Sequence, residues 1–326
     1  MIKINIISGF LGAGKTTLIK KLLTGIKPGS EKIILLENEY GDVGVDGAFM
    51  KDSGIIVDEL NSGCICCTLV GDFQKAVDEL IEKYNPDRLI IEPSGVGKLS
   101  EIVNAVEKCK AAHPEMEISG CATIVDAGKC RMHMKNFGEF FLDQVKTADT
   151  VIFSRTQNLT ADRVEKSRVL IAEAHEGVRV ITTPWDDLSA DVMLEVVESG
   201  RPIVLHVEHE HHHHDHDEHC ECDACHVHHH HHHADEVFTS WGRETPRKYS
   251  REDLQDILSV LAMSEDVGTV LRAKGMVPCA ECDGWLHFDL VPGEFEIRKG
   301  GAEYTGRLCV IGSGLDEAGL EKLFGL

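Results

Sequence analysis

Residues 3–23 read KINIISGFLGAGKTTLIKKLL, an apolar run, then a glycine-rich loop, then a run with helical spacing. Gly9, Gly14, Lys15 and Thr16 fit G-x-x-x-x-G-K-[ST], with Gly12 and Ala13 inside the loop and Thr17 just after it. Between a buried strand and a helix, such a loop turns its backbone N–H groups and a helix N-terminus toward phosphate oxygens. Lys15 is expected to reach the β- and γ-phosphates and Thr16 to hold Mg²⁺. A glycine turn arising by coincidence is the competing reading, and the strand–loop–helix context argues against it.

Outward from this loop, short Ile/Val/Leu runs recur at 32–37, 54–60, 88–92, 122–126, 150–154, 178–182 and 202–207. They lack period-two alternation, as strands buried on both faces do. Between them lie amphipathic stretches such as DFQKAVDELIEKY, where Phe73, Val77, Leu80, Ile81 and Tyr84 share a face before Pro86. The expectation is an α/β P-loop NTPase fold with a doubly wound, mostly parallel sheet over residues 1–205. From Val237 to residue 326 the pattern changes to VFTSW, a helix at REDLQDILSVL, and strands near 268–274, 284–290, 294–298 and 307–311. A smaller α+β C-terminal domain is expected there.

Apolar residues make up 42% of the 326-residue chain and charged residues 27%, enough for two cores. The net charge of −22 excludes nucleic acid and anionic membrane as natural partners. No apolar run approaches the roughly 18 residues of a membrane span, and no signal-peptide pattern precedes the glycine loop. Twelve cysteines without a secretion signal point to a reducing, cytoplasmic setting in which thiols ligate metal or fill cores.

Three cysteine groups stand out. NSGCICCTL brings Cys64, Cys66 and Cys67 close enough to converge on one Zn²⁺-like cation, the alternative being three small core residues. CAEC, with Cys279, Cys282 and nearby His287, reads equally as a zinc site or as a loop with two thiols. Cys109, Cys121, Cys130 and Cys309 lie in apolar runs and read as core, while His113, His133 and His175 read as surface or locally bonded.

The third group sits in residues 206–236, where 15 His, 3 Cys and 9 Asp or Glu occur with no Lys or Arg. Such composition cannot bury a core, so this linker is expected to be disordered without metal and to bind it. His211, His212, His213, His214, Cys220, Cys222, Cys225, His228, His229 and His230 are its candidate ligands for Zn²⁺, with Ni²⁺ or Co²⁺ as alternatives. Glu92, ending the RLIIE strand, is the candidate carboxylate on the Mg²⁺ side of the phosphate loop.

SGFLGAGKTT, ENEYGDVGVDG, GCICC and LIIEPSG, in this order, resemble the CobW-type P-loop GTPases, relatives of the UreG and HypB metallochaperones. GTVLRAKG and GWLHFDL are similar to that family's C-terminal domain. The resemblance implies GTP and Mg²⁺ binding, GTP hydrolysis, and delivery of a divalent metal, most readily zinc, to a client metalloprotein. It implies that Glu37, Asn38, Glu39 and Asp42 fall in the switch, with Glu37, Asp42 and Cys66 near the internal metal site. Where the family carries Asn-Lys-x-Asp for guanine, this chain has Ser154, Arg155, Thr156 and Gln157. A neutral Gln157 amide accepts less strongly from guanine than a carboxylate, so the expected preference for GTP over ATP is narrowed. The alternative function is zinc or nickel buffering by a protein whose NTPase domain is regulatory. A second copy of the chain is a further conceivable partner.

Overall fold

The computed structural model describes residues 1–27, 29–37, 56–59, 70–199, 237–264, 266–301 and 305–326, with 57–59 and 70–72 as backbone. Two sheets organise these residues. The first has strands β1 (Ile2–Gly9), β2 (Ile33–Glu37), β3 (Ile56–Glu59), β4 (Arg88–Glu92), β5 (Met116–Asp126), β6 (Thr150–Ser154) and β7 (Arg179–Ile181). Their order is β3-β2-β4-β1-β5-β6-β7, and every pairing is parallel. The doubly wound parallel sheet expected from the apolar runs is therefore present. The run at 202–207 lies outside the described residues.

Successive residues of the central strands serve opposite faces. Ile4 and Ile6 of β1 pack with Phe73, Val77 and Leu80 of α2 (Val70–Tyr84) and with Ile102, Val103 and Val106 of α3 (Leu99–Ala112). Ile7 packs on the other face with Leu18 and Leu22 of α1 (Lys15–Gly25) and with Met193 and Val197 of the helix Ala190–Glu198. Helices α4 (Cys130–Asn136), α5 (Gly138–Thr147) and α6 (Ala161–Ala174) complete the layer beside β5 and β6, which makes Ala190–Glu198 α7. The β2–β3 connection lies outside the described residues; each of the other parallel connections carries a helix, and the strands' carboxyl ends share one edge.

The second sheet is antiparallel, in the order β11-β10-β9-β12-β8. Its strands are β8 (Thr239–Thr245), β9 (Thr269–Pro278), β10 (Trp285–Val291), β11 (Glu294–Gly300) and β12 (Gly306–Ser313), with helices α8 (Arg251–Met263) and α9 (Glu317–Phe324). Alternation along β12 sends Leu308 and Val310 to the helices and Cys309 and Ile311 to the first sheet's aromatic cluster. That cluster contains Phe10, Phe137, Phe140 and Phe238, so the residue after the first loop glycine is packed by both sheets. Phe10 and Phe137 rings stack at 5.3 Å, and Phe238 stands 5.0 Å from Phe140.

Cys109, Cys121, Cys130 and Cys309 are buried, as the apolar context indicated. Cys279 and Cys282 are joined as a disulfide with Cα atoms 5.5 Å apart, and His287 Nε2 donates to the Gly301 carbonyl instead. Both readings of CAEC, a zinc site and a loop with two free thiols, are thus corrected to a disulfide. His113 bonds Asp78 and Glu115, and His175 bonds the Val145 carbonyl. His133 departs from expectation, because it is 3% exposed and packed between Phe10 and Phe141. Among the described residues no helix is long and apolar enough to cross a membrane.

Candidate nucleotide and metal site

The phosphate loop leaves β1 at Gly9 and enters α1 at Lys15. Gly14 is the residue capping α1, with φ of 105°, a conformation that glycine adopts without a Cβ penalty. Its Cα also lies against an indole: a Cβ at Gly14 would come 3.2 Å from Trp185 Cη2. Trp185 is held there by donating Nε1–H to the Phe153 carbonyl at 2.8 Å. Lys15 is buried at the loop's end, on the first turn of the helix.

Thr16, one residue on, donates its hydroxyl to both carboxylate oxygens of Glu92, at 3.0 and 3.2 Å. Glu92 is 4% exposed and ends β4, the strand beside β1. A hydroxyl and a carboxylate are hard oxygen donors, the set that Mg²⁺ takes beside phosphate oxygens. The donor set therefore fits that ion. Glu37, also buried, is the Cα partner of Glu92 on one side and of Glu59 on the other. Three carboxylate residues thus stand in register at the carboxyl ends of β3, β2 and β4.

Ser154 ends β6, and Arg155 and Gln157 follow it at the same edge. Arg155 has φ of 59°, unusual for a side chain that carries a Cβ, and its guanidinium is multiply held. Nη2 donates to the Gly12 carbonyl at 3.4 Å, while Nη1 lies 3.3 Å from Asp126 Oδ2 and 2.5 Å from Glu294 Oε2. Ser154 is buried and Gln157 is exposed. Lys129 neighbours the same acids, and burial lowers its ammonium pKa despite Asp126 and Glu294.

A cavity of about 840 Å³ opens between this loop and the antiparallel sheet. Gly12, Gly14, Lys15, Thr16, Thr17, Glu92 and Arg155 form one wall, and residues of β9, β10 and β11 form the other. Gly9 and Ala13 complete the loop, buried behind this wall. The sequence did not single out Asp126, Trp185 or Glu294. Asp126 carried the same signal as Glu92, a carboxylate ending an apolar strand; the other two carried none, since long-range packing puts them here. Asp42, Cys64, Cys66 and Cys67 lie outside the described residues, as do His211, His212, His213, His214, Cys220, Cys222, Cys225, His228, His229 and His230. Among the described residues no group of three or more His, Cys, Asp or Glu is placed to hold a metal ion.

The chain is similar to several known proteins. Among relatives, the zinc chaperone YeiR of Escherichia coli is 35% identical over 162 residues, covering 50% of this chain and 49% of its own. The zinc chaperone CobW of Pseudomonas aeruginosa is 29% identical over 248 residues, 63% of this chain and 64% of its own. The chain thus spans about half the length of the first of these relatives. The Zn(II)-bound YjiA GTPase of E. coli aligns over 99% of this chain and 98% of its own, at 20% identity and a TM-score of 0.41. Residues 238–325 match the cobalamin synthesis protein cobW C-terminal domain. Residues 3–182, the stretch that folds into the phosphate loop and its parallel sheet, match the CobW/HypB/UreG nucleotide-binding domain, and it is to this family that the chain belongs.

Proposed function

We infer that this chain is a GTP-hydrolysing metallochaperone that couples nucleotide state to the transfer of a divalent metal, zinc first, to a client protein. The observation that carries the reading is the Thr16–Glu92 pair beside the phosphate loop, with Glu37 in register one strand away. This joins the nucleotide side of the site to the strand that leads into the switch and toward the Cys-x-Cys-Cys motif. Family membership and the zinc-chaperone names of relatives support the same reading.

In this reading the loop amides and Lys15 hold the triphosphate, and Thr16 with Glu92 would hold Mg²⁺, which when bound neutralises charge on the phosphate oxygens. Ser154 and Gln157 face the base, and Arg155, bonded to the Gly12 carbonyl, stands on the phosphate side of them. The metal is cargo, held by Cys64, Cys66 and Cys67 with Glu37 and Asp42, and gathered by the histidine-rich linker between the two folded parts. The proposed parts are 1–205, 206–236 and 237–326.

The test is a Zn²⁺ titration of the full chain with a GTP analogue, with GDP and without nucleotide. It is repeated on a Cys64/Cys66/Cys67→Ala variant and on a chain lacking 206–236. A hundredfold nucleotide effect on Zn²⁺ affinity would correspond to about 2.7 kcal/mol of coupling. The expected outcome is nucleotide-dependent affinity that the cysteine variant abolishes. Deleting the linker should lower capacity and leave basal GTP hydrolysis in place. Zinc affinity indifferent to nucleotide in every form would overturn the chaperone reading and leave a metal buffer.

A further inference from the structure

The second wall of the nucleotide cavity comes from the antiparallel sheet, and the turn between β10 and β11 is seated directly on the phosphate loop. A Cβ at Gly12 would lie 2.1 Å from Val291 Cγ1, so loop backbone and turn side chain are in contact. Three acids of this sheet line the cavity: Asp289, Glu294 and Glu296. Two are offset from their own side, Asp289 by Arg272 at 3.3 Å and Glu296 by Arg298 at 4.0 Å. Glu294 is different. Among the described residues its ion pair is with Arg155, which follows β6 of the other sheet and also holds the Gly12 carbonyl.

We propose that Glu294 is an affinity-setting residue of the nucleotide site, an anion supplied by the C-terminal sheet that competes with a polyphosphate for Arg155. The proposal rests on the reading of the cavity as a nucleotide site and adds which residue tunes it. A triphosphate entering the cavity brings several negative charges toward a carboxylate already bonded to the loop's neighbouring cation. Either the pair opens and frees Arg155 for the ligand, or binding is opposed by the like charge of Glu294. By linkage, whatever draws the β10–β11 turn off the loop strengthens polyphosphate binding, and bound polyphosphate loosens the turn to the same degree.

The test is calorimetric titration of inorganic triphosphate and of GTP, with Mg²⁺, into the full chain and its Glu294→Gln variant. Glu317→Gln, which removes the same charge on α9 beside Arg243, is the control for net charge. Glu294 and Arg155 are both partly exposed, so the expected gain is modest: about two- to fivefold tighter binding of both ligands by Glu294→Gln. The control should show no such gain, and the difference should shrink at high salt. A purely structural role for the pair would loosen the site and weaken binding, the opposite sign. Unchanged or weaker triphosphate binding in Glu294→Gln overturns the proposal while wild-type GTP binding leaves the nucleotide reading standing. Tighter triphosphate binding without GTP binding in either form supports the anion competition and overturns the GTP reading. No binding of either ligand by any form overturns both.

Discussion

His133 shows what one buried ring does to acid stability. It lies 4.7 Å from the Phe10 ring, its Nδ1 has no hydrogen-bond partner among the described residues, and burial, with Lys129 adding, pushes its pKa down to about 4 from 6.5. The folded state therefore prefers the neutral ring. That preference stabilises fully above about pH 6.5 and is lost as pH falls through 4, by up to a few kcal/mol. Asp149, pushed up to about 6 by burial, works oppositely, losing its contribution as pH rises through that value. Comparing His133→Leu with the parent cancels such other terms. Urea midpoints at pH 7.5 and pH 5 should fall less in the variant than in the wild type. An equal fall in both would remove His133 from the account. Sequence alone made this histidine look peripheral, because its burial comes from Phe10 on a distant strand end.

At the scale of elements, β4 is fastened by its first residue. Arg88 is 1% exposed, bonds Glu31 at 2.7 Å, and also meets Asn5 and Glu198. It thereby ties the start of β4 to β1 and to the end of α7. Glu31 and Glu198 keep a quarter of their surface in water, so the pairs are weaker than fully buried ones. Arg88→Met should cost about 2 kcal/mol, because it strands partly buried carboxylates and an amide oxygen. A chemical denaturation midpoint unchanged by the substitution would refute this. Most elements were legible beforehand: RLIIE, KIILLE and TVIFS are apolar enough that only a strand buried on both faces suits them. The apolar run 122–126 marks only the second half of β5, which begins at Met116, because MEIS is too polar to signal a strand and forms one by pairing with Ile2–Ile4. The Thr16–Glu92 meeting is readable for a related reason, since Glu92 ends one apolar run and Thr16 opens the helix after the loop that leaves the adjacent one.

Across the whole molecule, the first sheet's strands and their parallel sense follow from local patterns, whereas their order and the seat of the second sheet on the phosphate loop do not. Nothing near Val291 or Glu294 in sequence marks them as neighbours of Gly12 and Arg155; Phe10, Phe238 and Ile311 joining one cluster brings them together. The chain has three tryptophans, and they are distributed unequally between the two sheets. Trp241 is 1% exposed in the C-terminal core and Trp285 opens β10, while Trp185 alone lies against a phosphate-loop glycine. The indole against Gly14 makes the protein its own optical probe. GTP titrated into the unlabelled chain should change tryptophan emission, and Trp185→Phe should abolish the change. Persistence of the full change in that variant would show that the signal arises elsewhere. With it, the order of nucleotide and metal arrival could be timed by stopped flow without attaching a dye.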